Sequence, residues 1–281
     1  VAPNNHLTNI YGLDFNLNYQ SILGRTALGA EYRYETILSN VLGEKINDTL
    51  PVPGEVGHFF THGSERQNAG VFIEQVKHYK NFYVSAGILA NWYSEYKWKL
   101  YPGIDIGYQI SRKFKVFTTV NKSCRLPTFT DLYYKGRFNL GNKNLLPEEA
   151  TTYEIGTKYY SKALRGHFSV FRREGKNIID WVRLSDTLLW ESKNITELTT
   201  VGFELSGDIY FNKIFKQDFI KNVIFTYSYI ETEKQSGQYI SKYALDYLKH
   251  KATLSLKHKF YKNIGAYWKF TLQNREGTYT D

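Results

Sequence analysis

Apolar and polar residues alternate with a period of two along most of this chain, the spacing of a strand whose two faces meet different surroundings. Tyr11, Leu13, Phe15, Leu17 and Tyr19 share one face of the first such run, and Gly12, Asp14, Asn16 and Asn18 share the other. Val201, Phe203, Leu205, Ile209 and Phe211 oppose Gly202, Glu204, Ser206, Asp208 and Tyr210. Ala252, Leu254, Leu256 and Phe260 oppose Thr253, Ser255, Lys257 and Lys259, and Ile264, Ala266, Trp268, Phe270 and Leu272 oppose Gly265, Tyr267, Lys269 and Thr271. Looser alternation covers 25–37, 68–79, 82–97, 101–110, 114–124, 149–160, 164–183 and 219–234. About twelve strands are expected, with no helical period of useful length. The prolines at 3, 51, 53, 102, 127 and 147 are expected to avoid strand interiors, where each would remove a ladder hydrogen bond.

The connections alternate between tight and elaborated. Tight ones fall at Ser21–Gly24, Lys80-Asn81, Ser111–Lys113, Ser161–Leu164, Asn212–Asp218 and Tyr261–Asn263. Between them lie Leu38–Gln67, a short link near Trp98–Leu100, Arg125–Glu148, Leu184–Thr187 and Gln235–Tyr243. An up-and-down meander places every second connection on the same rim, so one rim is trim and the other elaborated. Outer-membrane barrels have this asymmetry, and a Greek-key sandwich has no reason to keep it. The pattern predicts an all-β fold, a transmembrane antiparallel up-and-down β-barrel. Polar columns such as Asp14, Asn16, Asn18, Asp105, Gln109, Glu204, Ser206 and Asp208 are then expected to line the lumen. In a soluble protein the same columns would simply be solvated.

Composition agrees with a barrel. Aromatic residues make up 17% of the 281 residues, and no apolar run is long enough for a membrane helix. A barrel strand is apolar on one face only, so the polar average, a mean hydropathy of -0.45, is compatible with membrane insertion. The single cysteine, Cys124, excludes an internal disulfide framework. Val1-Ala2-Pro3-Asn4-Asn5 lacks the pattern of a signal peptide, so a mature or truncated form is expected.

The net charge of +9 is partly carried by Lys80, Arg112, Lys113, Lys162, Arg165, Lys213, Lys216 and Lys262, around the tight turns. Tyr19, Tyr79, Phe82, Phe114, Tyr159, Tyr160, Phe211, Phe219, Phe260 and Trp268 flank the same turns. An aromatic girdle at a lipid–water boundary accounts for the rings, although β-propensity also favours them in any strand. The cations fit either phosphate headgroups or plain solvent. Nothing calls for a nucleic-acid partner.

The segment Asn121–Gly156, NKSCRLPTFTDLYYKGRFNLGNKNLLPEEATTYEIG, resembles a stretch of the barrels of TonB-dependent receptors. There a basic-x-Pro turn, a Leu-Tyr pair and Asn-x-x-Leu-x-Pro-Glu lead to Glu-x-Gly on the next strand. The matching residues are Arg125, Pro127, Leu132, Tyr133, Asn142, Leu145, Pro147, Glu148, Glu154 and Gly156. Phe171, Ile178, Ile179, Trp181 and Val201-Gly202-Phe203-Glu204 continue the likeness. Lys143 and Leu146 depart from the family's usual proline and lysine. The matched residues are expected to turn the chain and set register.

The resemblance implies a 22-stranded barrel with a plugged lumen in the outer membrane of a Gram-negative bacterium. Residues 1–281 would then be a partial barrel domain covering middle and later strands. The plug with its TonB box is expected before residue 1, and the last strands beyond Asp281. The whole chain looks most like the cobalamin receptors, with siderophore receptors close behind. The implied activity is active import of a scarce nutrient, cobalamin first and a ferric siderophore or haem as alternatives. Implied partners are outer-membrane lipid, the plug, the TonB energy-coupling complex, the small-molecule cargo and a surface-exposed lipoprotein.

Cargo contacts are expected from the elaborated rim, at His58, Phe59, Phe60, His62, Tyr133, Tyr134, Arg137, Phe138 and Trp190. A bulky, partly apolar cargo is held well by aromatics with a few polar anchors, and ordinary loop packing is the competing role for each. His58 and His62 lack a third ligand, so no metal is expected. The calcium loops of cobalamin receptors would precede residue 1, and no cofactor is expected either. No nucleophile elbow, metalloprotease or nucleotide motif occurs, so the reading is not an enzyme. An outer-membrane protease or lipase is the alternative from another class, and a passive porin a third.

Overall fold

The computed structural model describes residues 3–215, 219–235, 239–242, 247–261 and 263–276. Its strands are β1 His6–Ser21, β2 Gly24–Ser39, β3 Glu44–Pro51, β4 Phe59–Tyr79, β5 Phe82–Tyr93, β6 Lys97–Gln109, β7 Phe114–Arg125 and β8 Asn139–Leu140. They continue as β9 Glu148–Tyr160, β10 Leu164–Arg183, β11 Trp190–Ile209, β12 Ile220–Gln235, β13 Ile240–Ser241, β14 Tyr247–Tyr261 and β15 Ile264–Glu276. All belong to one sheet in the order β1-β2-β4-β5-β6-β7-β9-β10-β11-β12-β14-β15, with β3, β8 and β13 pairing beside that path. Every pair along the path is antiparallel, which is the expected meander. The described helices are two single turns, α1 Phe129–Tyr133 and α2 Phe211–Ile214.

Residues paired across neighbouring strands share a face, so register traces each face across the sheet. Leu17, Leu28, Ile73, Ile88 and Pro102 form one row. Val116, Thr157, Phe168, Leu205, Tyr227, Ala252 and Leu272 form another on the same face. The opposite face carries Asn18, Ala27, Glu74, Gly87, Gly103, Asn121, Thr152, Arg173, Thr200 and Thr232 in a single row. Burial is inverted relative to a water-soluble sheet. Leu13 and Leu272 are 74% and 75% exposed on the apolar face, while Ser85 and Ser169 are 3% and 1% exposed on the polar one. Side chains crowd on the polar face, as on the inside of a curved sheet, and the apolar face is left for hydrocarbon.

The apolar band has the height of a bilayer core. From Phe82 to Trp92, β5 rises about 33 Å along the strand, or roughly 25 Å once tilted like a barrel strand. Trp92 pairs with Trp98 at its upper edge. Phe82 and Tyr108 pack at 4.7 Å between ring centres at its lower edge. Above the band, outward positions turn charged, at Lys122, Arg172, Glu174 and Glu231.

Several boundaries differ from those expected. Much of 38–67 is strand: β2 runs to Ser39, β3 fills 44–51 and β4 starts at Phe59. The short link lies at 94–96, and Trp98–Leu100 belong to β6. Above the band both faces of a strand are wet, so alternation loses its apolar contrast and the strand reads as loop. The tight connection at 212–218 begins in α2, and its residues 216–218 fall outside the described residues. Pro102 lies inside β6, contrary to expectation. The β6–β7 ladder begins only at Gly103↔Asn121, so Pro102 sits where β6 has an open edge, a place that tolerates proline.

Candidate functional site

At the upper rim the chain between β7 and β9 folds into a bracket. Thr128 caps α1 through its side chain, and Asp131 returns the bond to the Thr128 backbone, Oδ2 accepting from the amide at 3.0 Å. Arg125 donates to Glu148 twice, Nε to Oε2 at 2.9 Å and Nη2 to Oε1 at 2.6 Å, and lies 3.7 Å from Asp131. This bidentate bond holds the Arg125 guanidinium above its ordinary value. Glu148 also accepts the Ile179 amide at 2.8 Å, tying the bracket to β10. The Asn142 amide donates to the Asp131 carbonyl, and its Oδ1 accepts from the Asn144 amide. Leu132 and Leu145 close over Ile179 with Tyr133 beside them, and Pro127 and Pro147 are buried. Arg125, Pro127, Leu132, Asn142, Leu145, Pro147 and Glu148 thus meet in one packed unit.

Glu154 and Gly156 lie lower on the inner wall. Glu154 sits between Thr119 and Phe171. Gly156 lies under the Phe117 ring, where a Cβ would fall 2.6 Å from Cζ.

The bracket reaches inward to the strands on its other side. Arg66 of β4 donates to the Pro127 carbonyl at 2.9 Å, stacks 4.9 Å from the Phe129 ring centre and donates to Glu35 at 2.6 Å. Phe129 packs with Ile37 and Leu42, and Ser64 donates to the Tyr133 hydroxyl at 3.3 Å. Lys143 bonds Glu44. Tyr96 donates to the Leu145 carbonyl at 3.1 Å. Burial pushes its hydroxyl up to about 12, so it stays a donor. Leu146 exchanges two hydrogen bonds with the Asn194 side chain on β11. The result is a shelf across the inner face, anchored on β2, β4, β10 and β11.

The expected cargo residues fall into three places. Tyr133 and Tyr134 are held in the shelf, Tyr133 stacked on Phe129 and Tyr134 edge-on to Trp181. His58, Phe59, Phe60 and His62 belong to the β3–β4 extension. Phe60 is buried and therefore packs there, while Phe59 is exposed. His58 contacts Asn5, and His62 contacts Thr61. Arg137, Phe138 and Trp190 come together: Arg137 stacks on Phe138, whose carbonyl accepts the Trp190 amide at 2.9 Å. Arg183 and Lys242 lie 4.3 and 5.6 Å from the Trp190 ring centre, and Lys193 lies 5.3 Å from that of Tyr239.

Arg137, Phe138 and Trp190 of this group were expected from sequence; Arg183, Lys193, Lys242 and Tyr239 were not. Arg183 meets Trp190 only through the β10–β11 hairpin, and Lys242 only through the pairing of β13 on β10. No local motif signals either. Among the described residues no cluster of three or more His, Cys, Asp or Glu side chains is placed to hold a metal ion.

An antiparallel wall, apolar outside and polar within, with short turns at one rim and a folded shelf at the other, defines a transmembrane barrel of the outer-membrane type. The family model for the TonB dependent receptor-like β-barrel matches residues 3–281, and the chain belongs to that family. A 104-residue stretch is 28% identical to the vitamin B12 transporter BtuB of Vibrio vulnificus strain YJ016, covering 37% of this chain and 16% of that protein. The structure of the siderophore receptor PirA from Pseudomonas aeruginosa superposes with a TM-score of 0.70 at 13% identity, over 96% of this chain and 46% of that one. A mutant of the ferric enterobactin receptor PfeA from the same species gives 0.72 at 14% identity, over 96% of this chain and 42% of that one. The chain thus spans less than half the length of these structures and a smaller share of the transporter.

Proposed function

We propose that this chain is part of the barrel wall of an outer-membrane, TonB-dependent receptor that imports a scarce nutrient. The observation that carries the reading is the family match over nearly the whole chain, supported by the inverted faces of the sheet. In this reading residues 1–281 form one partial barrel domain, and further strands complete the wall beyond β1 and β15, each of which pairs on one side only among the described residues. Cargo binds at the upper rim, a plug fills the polar interior, and the TonB complex pulls on that plug. The wall supplies rigidity and rim contacts and performs no bond chemistry.

For the cargo, the sequence relative favours cobalamin. The cation–aromatic row at Arg137, Phe138, Arg183, Trp190 and Lys242 favours a second reading, a bulky iron chelate with anionic groups, since the rings hold apolar surface and the cations beside them, Arg183 already paired with Asp186, offer polar anchors. In the complete receptor, Phe138→Ala with Trp190→Ala should weaken cargo binding by tenfold or more, the scale of aromatic anchors. Cobalamin and ferric chelates are titrated in parallel on wild type and variant. Selective loss of one assigns the cargo. Unchanged affinity for every ligand that binds would remove this row from the site.

A further inference from the structure

Three neighbouring turns of the trim rim carry positive charge with no carboxylate in them, while the β11–β12 connection of the same rim has Asp208 beside it. Lys80 stands in the β4–β5 turn, Arg112 and Lys113 in the β6–β7 turn, Lys162 in the β9–β10 turn, and all four are exposed. No Asp or Glu occurs within 78–83, 109–115 or 159–166. The elaborated rim is different: its cations sit among carboxylates, as in Lys143 with Glu44, Arg183 with Asp186 and Lys193 with Glu191. The three cationic turns are neighbours. β4, β5, β6, β7, β9 and β10 are consecutive in the sheet, so the turns recur every second strand, about 10 Å apart.

Immediately above them the outward face is aromatic. Tyr79, Phe82 and Tyr108 pair in one row, and Phe114 pairs with Tyr159. The Lys80 ammonium lies 5.4 Å from the Tyr79 ring centre, on the lipid-facing side. A ring placed at the end of the apolar band with a cation beyond it has the order of a phospholipid seen edge-on: acyl chain, glycerol, phosphate. A soluble acidic partner would need the cations but would have no use for the aromatic row.

We propose that the rim at Lys80, Arg112, Lys113 and Lys162 is a binding belt for anionic phospholipid headgroups of the leaflet it faces. The inference rests on the barrel reading but not on the cargo. The belt draws phosphatidylglycerol-type lipids around this sector in preference to zwitterionic ones. Each cation close to an anionic surface contributes about fivefold to the preference, weakened by salt.

The test uses the complete receptor in mixed micelles of phosphatidylglycerol and phosphatidylcholine, with retained lipids counted by native mass spectrometry. Wild type should retain phosphatidylglycerol over phosphatidylcholine by tenfold or more. Lys80→Asn with Arg112→Gln, Lys113→Gln and Lys162→Gln should bring the ratio close to one. Asparagine is chosen at 80 because the backbone there has φ 51°, which Asn tolerates. Lys97→Asn, matched to its φ of 62°, with Arg172→Gln, at the other rim, should leave the preference intact. Heat-modifiable migration on gels reports that each variant is folded. Equal retention of the two lipids by wild type, an unchanged ratio in the fourfold variant, or equal loss in the upper-rim control would each overturn the belt. Continued cargo binding in those cases would leave the receptor reading standing.

Discussion

Leu145→Ala should release the shelf while leaving the barrel wall intact. Leu145 is 1% exposed and packs with Leu132, Ile179 and Tyr133, at the point where the shelf meets β10. A buried Leu→Ala change costs about 2–5 kcal/mol, from lost transfer energy and the residual cavity. About 3 kcal/mol is expected here, since polar tethers from Arg66, Tyr96 and Asn194 limit collapse into the gap. The wall keeps its own ladder, so the loss should appear as local opening of the shelf. At 1.4 kcal/mol per decade, exchange of shelf amides should accelerate by roughly 100-fold.

Hydrogen exchange read by mass spectrometry on the receptor in micelles measures this. The reporters are the amides of Gly141, Asn142 and Leu146, bonded to the Tyr134 carbonyl, the Asp131 carbonyl and Asn194 Oδ1 respectively. The controls are β5 and β6 amides within the apolar band. Phe138→Ala, at an exposed position, should change the reporters by less than about 0.5 kcal/mol. Equal acceleration of shelf and wall would mean that the shelf is not a separate unit. No acceleration at all would mean that Leu145 does not hold it.

Cysteine or spin labels should find lipid at Leu13, Phe15, Leu254 and Phe270 and water at Asp14, Asn16, Thr253 and Ser255; the reverse pattern in bilayers would defeat the face assignment. Gly156→Ala should cost about 1–3 kcal/mol in urea unfolding, because the new methyl meets the Phe117 ring and lies 2.7 Å from the Phe168 carbonyl; a neutral effect would show that the ring moves freely. The Lys122 ammonium, bonded to Glu149 at 2.8 Å with Lys99 at 3.1 Å, lowers that carboxyl below its ordinary value. Its folded value is therefore below the unfolded one, so the pair stabilises the upper end of β7 and β9 above about pH 4 and is lost as pH falls further. Hydrogen exchange of this segment in Glu149→Gln should lose that acid dependence while wild type keeps it.

Within the apolar band the sequence alone determined a good deal. A strand there meets lipid on one side and a polar interior on the other, so the two environments are written into alternate residues, and Leu13 against Asp14 already states which face is which. The parity of the connections followed from the same periodicity. Above the band that contrast disappears. Phe59–Gln67 forms strand because it pairs with β2 and β3, although no face of it need be apolar.

The rim chemistry was decided by tertiary structure alone. Arg66 and Pro127 are distant in sequence, and only the inward fold of the β7–β9 connection makes one the tether of the other. The hairpin that brings Arg183 to Trp190 was legible, but the stacking across it was not, and Lys242 reaches the same ring through a two-residue bridge that carries no sequence signal. For Tyr133 and Tyr134 the sequence left ligand contact and loop packing side by side; the tertiary structure sets both rings against the shelf while leaving part of each exposed. Lipid contact repeats along every strand and can be read from one chain at a time. Contacts made once, between segments far apart, exist only in the folded wall.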